Sequence, residues 1–530
     1  MKKKVCALFI VVTVIVLIAA GCRSNGSVTP SETNNVTDAG ETSTTSTKTS
    51  LKIAVGSDFQ NIVPLSNNIA VGNKDGAIIF ALYDPLVWRD SDDGSIKPCI
   101  AKEWEISDDG LTYTLKLRDD VTFHNGMKMT ANDVAWSLNL LLDNPAVSKG
   151  NFPTFEKAEV IDDYTVKIYL TAPFAPMINA LASYHIVVLS KDYFDKVGSF
   201  DEYIKQPIGT GPYEYVSKVP GSTYTLKAYN GYWDGAPAIK DLTFKILPDS
   251  NAQVIALESE DVDVLLNGSI SNMVRIDSGK GVERDSREAA STCLLMFNGR
   301  DTLMADENLR KAILSAVDYD GINKAINGGY TKDANCIVPV GITARPEDGT
   351  FKNALKYNIE AAKVFLEKSS YQKSRALRVL CVSGSREENI AKVLQGNLQE
   401  IGIDAQITAV DASMFSTIGM KGDFELQLFN IMPSLFDMNV LYQLFDPSIP
   451  TNVGNMYPDF KELGQLGYAA ASEMNQEKRI EYYREMMDLV NDHAYAGFIF
   501  HDMNTVAWRT GLKGVKALPS TNYRISNWSW

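Results

Sequence analysis

A strand, a helix and a second strand follow one another between residues 377 and 410, and this succession limits the possible folds more than any other feature of the chain. We predict strands at residues 377–382 and 403–410 and a helix at residues 388–401, with Gly402 as the glycine that follows a helix C-terminus. Such a unit predicts two parallel strands joined by a right-handed connection. The apolar face of the helix comprises Ile390, Val393, Leu394, Leu398 and Ile401.

Similar patterns elsewhere extend this prediction to a mixed α/β fold. Apolar and polar residues alternate at residues 112–118, 165–170 and 242–246, as they do in half-buried strands, and a further strand at residues 51–55 opens the folded part. Helical spacing of apolar residues occurs around Leu309 and again around Tyr483. At roughly 150 residues per domain, the 530 residues predict about three domains.

The first residues are typical of an exported lipoprotein. Three lysines precede an apolar run at residues 5–20, which is shorter than the roughly 20 residues of a bilayer-spanning helix. The run ends in Ala19-Ala20-Gly21-Cys22, which resembles a bacterial lipobox, so residues 1–21 are the predicted signal peptide and Cys22 the lipidated residue. An uncleaved membrane anchor is the alternative. Residues 22–50, rich in Ser and Thr, are predicted to be a disordered tether spanning about 30 Å.

The net charge argues against two classes of partner. The formal charge is −14 at pH 7, and no basic patch interrupts the acidic composition. A nucleic-acid partner and a broad contact with an anionic membrane both require such a patch. We therefore expect only the N-terminal lipid to touch the membrane.

The sequence contains no arrangement typical of catalysis or metal binding. The four histidines, His124, His185, His493 and His501, lack metal-ligand spacing, and no nucleophile elbow, Walker loop or complete dinucleotide fingerprint occurs. The string SYQK at residues 370–373 matches the SxxK of serine acyl enzymes, but the companion SDN and KTG strings are missing. We predict an exposed loop there, no catalytic residue, no metal and no cofactor, and therefore a protein that is not an enzyme.

Four cysteines remain after the signal peptide and the lipidation site: Cys99, Cys293, Cys336 and Cys381. In an exported protein they allow three disulfide pairings, among which the sequence does not choose. A core of this size does not need disulfides, which favours buried free thiols.

Three separated stretches carry a resemblance to a known family. The first combines AKEW at residues 101–104, the turn dipeptide DG at 109–110, the following strand and DVTFHNG at 120–126. The second combines PIGTGPY at 207–213 with NGYWDGAP at 230–237, and the third combines FN at 297–298 with LRKAI at 309–313 and AVD at 316–318. In order and spacing they resemble the bacterial extracellular solute-binding proteins of peptide and nickel importers across nearly all of residues 51–530. Taken singly, DG, the NG at 125–126 and GTGP are turn strings, and His124 is predicted to be a turn residue.

The resemblance implies a type II periplasmic-binding-protein-like α/β fold with two lobes around a hinged cleft. Residues 51–84, 206–292 and 504–530 would form lobe I, with an extra domain at 85–205, and residues 293–503 would form lobe II. The chain would cross between the lobes near residues 290–296 and 500–506. Ligand contacts made only in the closed form would then close the cleft.

The resemblance also implies where the ligand binds. The ligand loop of the family falls between Asp423 and Pro447, at residues 429–439, where Ser434 takes the position of an aspartate that pairs with the peptide amine in many members. Asp437 is a candidate to replace that charge, and it is also a candidate helix cap. Asn439 stands where nickel-binding members carry histidine, and amide groups are poor ligands for soft metals, which favours peptides over nickel chelates. Asn68, Asn267 and Met432 are further candidates for ligand contact, each with a plain structural alternative as a turn or core residue.

These features together predict a monomeric, lipid-anchored substrate-binding subunit of an ABC importer that carries short peptides to membrane permease subunits. A nickel-chelate or other small-solute binder is the alternative within the family. Two alternatives come from other classes: a lipid-anchored serine acyl enzyme, and a ligand sensor that signals to a membrane receptor.

Overall fold

The alternation of strands and helices is present in the computed structural model, which describes residues 48–59, 61–66, 75–276, 281–347, 349–373, 375–445 and 461–530. The predicted signal peptide, Cys22, most of the predicted tether and Asn68 lie outside the described residues.

The strands are β1 (Ser50–Val55), β2 (Val87–Arg89), β3 (Ile96–Pro98), β4 (Ala101–Ile106), β5 (Thr112–Leu117), β6 (Phe155–Asp162), β7 (Thr165–Leu170), β8 (Tyr213–Val219), β9 (Thr223–Ala228), β10 (Asp241–Ile246), β11 (Val264–Leu266), β12 (Val282–Phe297), β13 (Lys332–Asp333), β14 (Leu377–Val382), β15 (Ala405–Val410), β16 (Leu426–Ile431) and β17 (Ala496–Arg509). The helices are α1 (Gly76–Leu82), α2 (Ala131–Asn139), α3 (Pro145–Asn151), α4 (Met177–Ala180), α5 (Lys191–Val197), α6 (Phe200–Tyr203), α7 (Ser250–Glu258), α8 (Ile270–Arg275), α9 (Glu307–Ala316), α10 (Tyr319–Asn327), α11 (Ile359–Lys368), α12 (Arg386–Glu400), α13 (Ala412–Lys421), α14 (Asn439–Phe445), α15 (Lys461–Ser472) and α16 (Gln476–Asp492).

The strand–helix–strand unit forms as predicted. β14 and β15 pair in parallel, with Leu377 opposite Ala405, and α12 connects them. The helix begins two residues earlier than predicted because Ser385 accepts a hydrogen bond from the backbone N–H of Glu388 and so caps it. Gly402 has φ +84°, the left-handed conformation expected of the glycine that ends a helix.

One large sheet contains most of the strands, in the order β15-β14-β16-β12-β17-β11-β1-β10-β9-β8, with β13 paired to β17 beside this path. β1 pairs in parallel with both β10 and β11, and β14 pairs in parallel with both β15 and β16. A four-stranded antiparallel sheet, β4-β5-β7-β6, and the hairpin β2-β3 lie apart from it. The fold is therefore mixed α/β, as the sequence predicts.

The buried apolar residues form two large cores. The first core takes residues mainly from the first half of the chain and from its C-terminal segment, whereas the second core takes residues between 290 and 500. A smaller cluster lies on the other face of the sheet, because successive strand residues point to opposite faces: Val506 belongs to the first core and Ala507 to the smaller cluster. Among the described strands, β17 contributes buried residues to both large cores, and β12 contributes them to the second core and to the smaller cluster.

Asp84 connects the two strings of the second stretch that carries the family resemblance. Its carboxylate accepts hydrogen bonds from the Tyr232 hydroxyl and from Trp233 Nε1, both at 2.9 Å, and its backbone N–H donates to Thr210 Oγ1. A side chain at Gly209 or Gly211 would collide with the backbone of Leu82, since a Cβ there would lie 2.0 or 2.5 Å from it. The GTGP and GYWDG strings are thus explained by packing around one buried carboxylate.

His124 is a turn residue, as predicted. Its Nδ1 accepts from the backbone N–H of Gly209, so its Nε2 carries the hydrogen and donates to the carbonyl of Gly211 at 3.0 Å. Burial lowers the pKa of His124 to about 4, so the ring is neutral near pH 7. The histidine fastens the turn after β5 to the GTGP bend.

Two further expectations concern cysteines and the SxxK string. Cys99, Cys293, Cys336 and Cys381 are all buried and unpaired. Ser370 is exposed in the connection between α11 and β14, where its backbone N–H donates to Asp306. Within the described ranges, no helix has the length and apolar character needed to cross a membrane.

Candidate functional site

The ends of the parallel strands carry the loops in which we predict ligand residues. Asn267 follows β11, which pairs in parallel with β1; Asn68, which comes after β1 in the sequence, lies outside the described residues. The predicted ligand loop follows β16, the parallel neighbour of β14. Ligands of α/β proteins bind beyond the C-terminal ends of parallel strands, so both of these edges are candidates.

The pairing of β12 with β17 is interrupted where the two strands pass between the cores. Glu288 lies opposite Met503 and Thr292 lies opposite His501, so three residues of β12 face the single residue Asp502. This bulge, residues 289–291 with Asp502, is named here the strand crossing. A bulge bends a strand and leaves backbone groups without ladder partners. One of them, the N–H of Ala290, donates instead to the carbonyl of Pro519 at 2.7 Å.

Polar side chains fix the strand crossing to the start of α12. Asp502 accepts hydrogen bonds from the Ser291 hydroxyl at 2.7 Å and from Arg386 Nη1 at 2.6 Å. Next to it, Thr292 Oγ1 and His501 Nδ1 are 2.8 Å apart. Burial, together with the positive charge of Arg345, lowers the pKa of His501 to about 3. The histidine is therefore uncharged. The strand crossing is held by the ion pair between Arg386 and Asp502 and by the hydrogen bonds of Ser291 and Thr292.

A cavity of about 340 Å³ opens beside the strand crossing. It is bounded by the hairpin β2-β3, by β12, by a loop at residues 339–342 and by the C-terminal segment that accepts the Ala290 bond. These elements come from both cores. The lining residues are Arg89, Asp90, Ser91, Asp92, Asp93, Gly94, Arg287, Glu288, Pro339, Val340, Gly341, Ile342, Phe436, Pro519, Ser520 and Asn522.

The predicted ligand loop lies between the two cores. Leu435 is packed in the first core, whereas the next residue, Phe436, belongs to the second. Phe436 has φ +51°, unusual for a residue with a large side chain, and its carbonyl accepts from the backbone N–H of Thr343. The N–H of Met438 donates to the carbonyl of Thr343 at 2.9 Å. These bonds make residues 341–343 and 436–438 one platform at the edge of the cavity.

Asp437 is buried beneath this platform and its charge is already paired. Arg479 Nη2 donates to Asp437 Oδ1 at 2.7 Å, and both side chains are almost fully buried. The backbone N–H of Asn439 also donates to Oδ1, which gives Asp437 the capping role at α14 that we considered for it. Asn179 Nδ2 donates to the other oxygen at 3.4 Å.

The other predicted ligand residues are placed as follows. Ser434 donates to Asn151 Oδ1 at 2.5 Å. Asn439 is buried and accepts from the Tyr483 hydroxyl at 3.4 Å, and Met432 packs partly buried against the second core. Asn267 is exposed, with φ +53°, and its backbone N–H donates to Thr505 at 2.9 Å. None of the predicted residues that are described lines the 340 Å³ cavity; their role in ligand binding stays a prediction.

The cavity introduces residues that sequence reasoning missed. Arg89 lies at the end of a short strand, and Glu288 lies next to the strand crossing, with no ion pair to a described residue. Asn522 Oδ1 is buried without a hydrogen-bond partner among the described residues. The only sequence signal near Arg89 is the acidic turn string that follows it, DSDDG at residues 90–94, which predicts a turn and no site.

Comparisons with known proteins give one consistent family. A family profile described as "Bacterial extracellular solute-binding proteins, family 5 Middle" matches residues 95–452, more than half of the chain. The dipeptide-binding protein of Escherichia coli strain K12 is 25% identical over 475 residues, which cover 84% of this chain and 88% of that protein.

Solved structures agree with this similarity. The ABC transporter substrate-binding protein CtaP from Listeria monocytogenes superposes with a TM-score of 0.80 at 27% identity, covering 91% of this chain and 99% of CtaP. NikZ from Campylobacter jejuni, solved in complex with Ni(L-His), superposes with a TM-score of 0.77 at 23% identity, covering 91% of this chain and 100% of NikZ. The second likeness concerns the fold alone.

Proposed function

Because the chain belongs to the family 5 bacterial extracellular solute-binding proteins, we propose that it is the substrate-binding subunit of an ABC importer for short peptides. The observation that carries the proposal is the cavity beside the strand crossing, whose walls come from both cores. The similarity to a dipeptide-binding protein along most of both chains supports peptides as the substrate class.

The proposed mechanism is closure of two lobes around the peptide. Residues 51–84, 206–292 and 504–530 with the extra domain 85–205 form one lobe, and residues 293–503 form the other. Support comes from β17, which contributes buried residues to both cores, and from its partner β12, since the ladder between the two strands is interrupted at the strand crossing. To shift an open-to-closed ratio of about 100:1 to its reverse, the closed form must bind the peptide roughly 10⁴-fold more tightly than the open form.

A large and partly wet cleft suits varied peptides. Main-chain hydrogen bonds supply affinity for any sequence, and water fills the space that a small side chain leaves. The cavity is lined by backbone-rich loops and by charged side chains of both signs, among them Arg89, Arg287 and Glu288. We propose that the loaded, closed form is the one that the membrane permease recognises, and that the protein does no bond chemistry.

We further propose that the protein is monomeric and is anchored by lipid on Cys22 at the extracytoplasmic face of the cell membrane. The lipobox-like residues before Cys22 support this. Cell fractionation tests it: the native chain is expected in the membrane fraction, and a Cys22→Ser variant in the soluble exported fraction. Membrane retention of that variant would contradict lipid anchoring.

A thermal shift assay with a pool of di- to pentapeptides tests the substrate class. A ligand at 100 times its dissociation constant adds about 2.7 kcal/mol to the free energy of unfolding, so the melting temperature rises. X-ray scattering with and without the best peptide measures closure. A shift with nickel and histidine, and none with any peptide, would replace the peptide proposal by the nickel-chelate alternative.

A further inference from the structure

Arg89 is a partly buried cation on the wall of the cavity, and its hydrogen-bond partners are all neutral. Its Nη1 donates to Thr343 Oγ1 and its Nη2 to the carbonyl of Gly341, both at 3.2 Å. Its guanidinium lies over the ring of Phe436, 5.2 Å from the centroid. A guanidinium has five N–H donors, so three are left without an acceptor among the described residues.

The carboxylates that act on Arg89 from nearby are engaged elsewhere. Asp437 is paired with Arg479 at 2.7 Å, and Asp93 accepts from Ser95 and faces Lys97 at 3.7 Å. Within the described residues, no carboxylate lies within ion-pair distance of Arg89. Burial lowers the pKa of Arg89 to about 10, despite the opposing attraction of Asp437 and Asp93, so the side chain is still charged at neutral pH.

A buried charge is costly unless an opposite charge and hydrogen bonds compensate it. Long neutral hydrogen bonds and an aromatic face compensate only part of the charge of Arg89. Arg89 lines the cavity, and the planar fork of arginine matches a carboxylate with two parallel hydrogen bonds.

We propose that Arg89 is the receptor for a carboxylate of the ligand and that it binds the C-terminal carboxylate of a captured peptide. This inference rests on the proposed function, since it assigns one end of the peptide to one residue of the cavity. It also gives the bound peptide a fixed direction, with the carboxyl end next to the platform of residues 341–343 and 436–438.

Arg89 also joins the two cores. Its hairpin packs in the first core, whereas its acceptors Gly341 and Thr343 flank Ile342, which packs in the second core. A residue that acts only as a latch between cores would stabilise the closed form for every ligand equally. A carboxylate receptor favours only ligands that carry the carboxylate. The two roles therefore differ in how a ligand's charge changes the effect of a substitution.

The test compares free-acid and amidated peptides on three proteins. Calorimetry measures dissociation constants of di-, tri- and tetraalanine, each as the free acid and as the C-terminal amide, for the native chain, Arg89→Gln and Arg89→Lys. The native protein is expected to prefer the acid by about 10- to 100-fold, the range of a hydrogen bond to a charged group. In Arg89→Gln this preference is expected to fall to about 1-fold, and in Arg89→Lys to an intermediate value, because lysine keeps the charge but loses the fork.

The ratio of the dissociation constants for acid and amide is compared within each protein, so a partial loss of folding in a variant does not change the result. Weaker binding of acid and amide by the same factor in Arg89→Gln would make Arg89 a latch and overturn the proposal. An acid preference that survives Arg89→Gln, or is missing from the native chain while peptides bind, would also overturn it and leave the peptide function standing. Failure of every peptide to bind the native chain would reject the peptide function and the carboxylate assignment together.

Discussion

The buried carboxylate of Asp84 makes the stability of this protein depend on pH in a direction opposite to that of most aspartates. Burial raises the pKa of Asp84 from 3.8 to about 6, although hydrogen bonds from Trp233 and Tyr232 and the charge of Arg524 oppose the rise. The folded state therefore holds a proton between these two pH values where the unfolded state has released it. Each tenfold change in an acid constant corresponds to about 1.4 kcal/mol. The free energy of unfolding is therefore lower by about 3 kcal/mol when Asp84 is ionised in both states than when it is protonated in both.

The sign follows from the proton count. Since the folded protein binds more protons than the unfolded chain between pH 3.8 and about 6, the free energy of unfolding falls as pH rises through this range. In an Asp84→Asn variant the group never ionises, so its stability relative to the native protein is expected to increase by about 2 kcal/mol between pH 4 and pH 7, part of the full effect being already present at pH 4. Urea unfolding of both proteins at pH 4, 5, 6 and 7 measures this difference.

An exposed turn aspartate is the matched control. A hydrogen bond from the Ser107 hydroxyl, followed by one from the Leu111 N–H, lowers the pKa of Asp109. The effect of Asp109→Asn on relative stability is therefore expected to fall mostly below pH 4, so its difference from the native protein stays nearly flat between pH 4 and pH 7. If the difference between Asp84→Asn and the native protein is as flat across this range as that of Asp109→Asn, or falls as pH rises, the reasoning about Asp84 is refuted.

Two further substitutions test the cavity wall and the buried ion pair. A methyl group at Gly94 would lie 2.7 Å from Nη2 of Arg89, whereas a methyl group at Gly126, also at positive φ, would meet nothing within 4 Å. Gly94→Ala is therefore expected to weaken peptide binding several-fold, while the control Gly126→Ala only lowers the melting temperature. Equal losses of binding in the two variants would contradict this prediction. Asp437→Asn leaves Arg479 buried without its ion-pair partner and is expected to cost about 3–5 kcal/mol in urea unfolding. Adding Arg479→Leu should recover much of that loss, and a cost below about 1 kcal/mol for the single variant would contradict the pairing.

Local patterns in the sequence predicted the local structure well. The strand–helix–strand unit was predicted within about two residues at each end, because helical spacing and the glycine at 402 depend only on nearby residues. The turn strings also form turns, with Gly110 and Gly126 at positive φ. The family resemblance supplied the fold class, which the local patterns alone reduced only to mixed α/β.

The cavity depends on contacts between distant residues, and no local pattern predicts them. Arg89 meets its acceptors about 250 positions further along the chain, and Asp437 meets Arg479 across 42 positions. From the sequence, Asp437 is a candidate both for ligand contact and for a helix cap, because the residue that pairs its charge, Arg479, lies on a distant helix, α16. In the sequence, Glu288 is one of several charged residues of the segment that forms β12. In the structure it lies beside the bulge and lines the cavity.

The hydrogen bond from Ala290 to Pro519 connects the bulge between β12 and β17 to a wall of the cavity. Bending at the bulge would move the C-terminal segment through this bond, and that segment is one wall of the cavity. If a peptide binds in the cavity as proposed, substitutions in this wall would change both the affinity for the peptide and the ratio of open to closed forms.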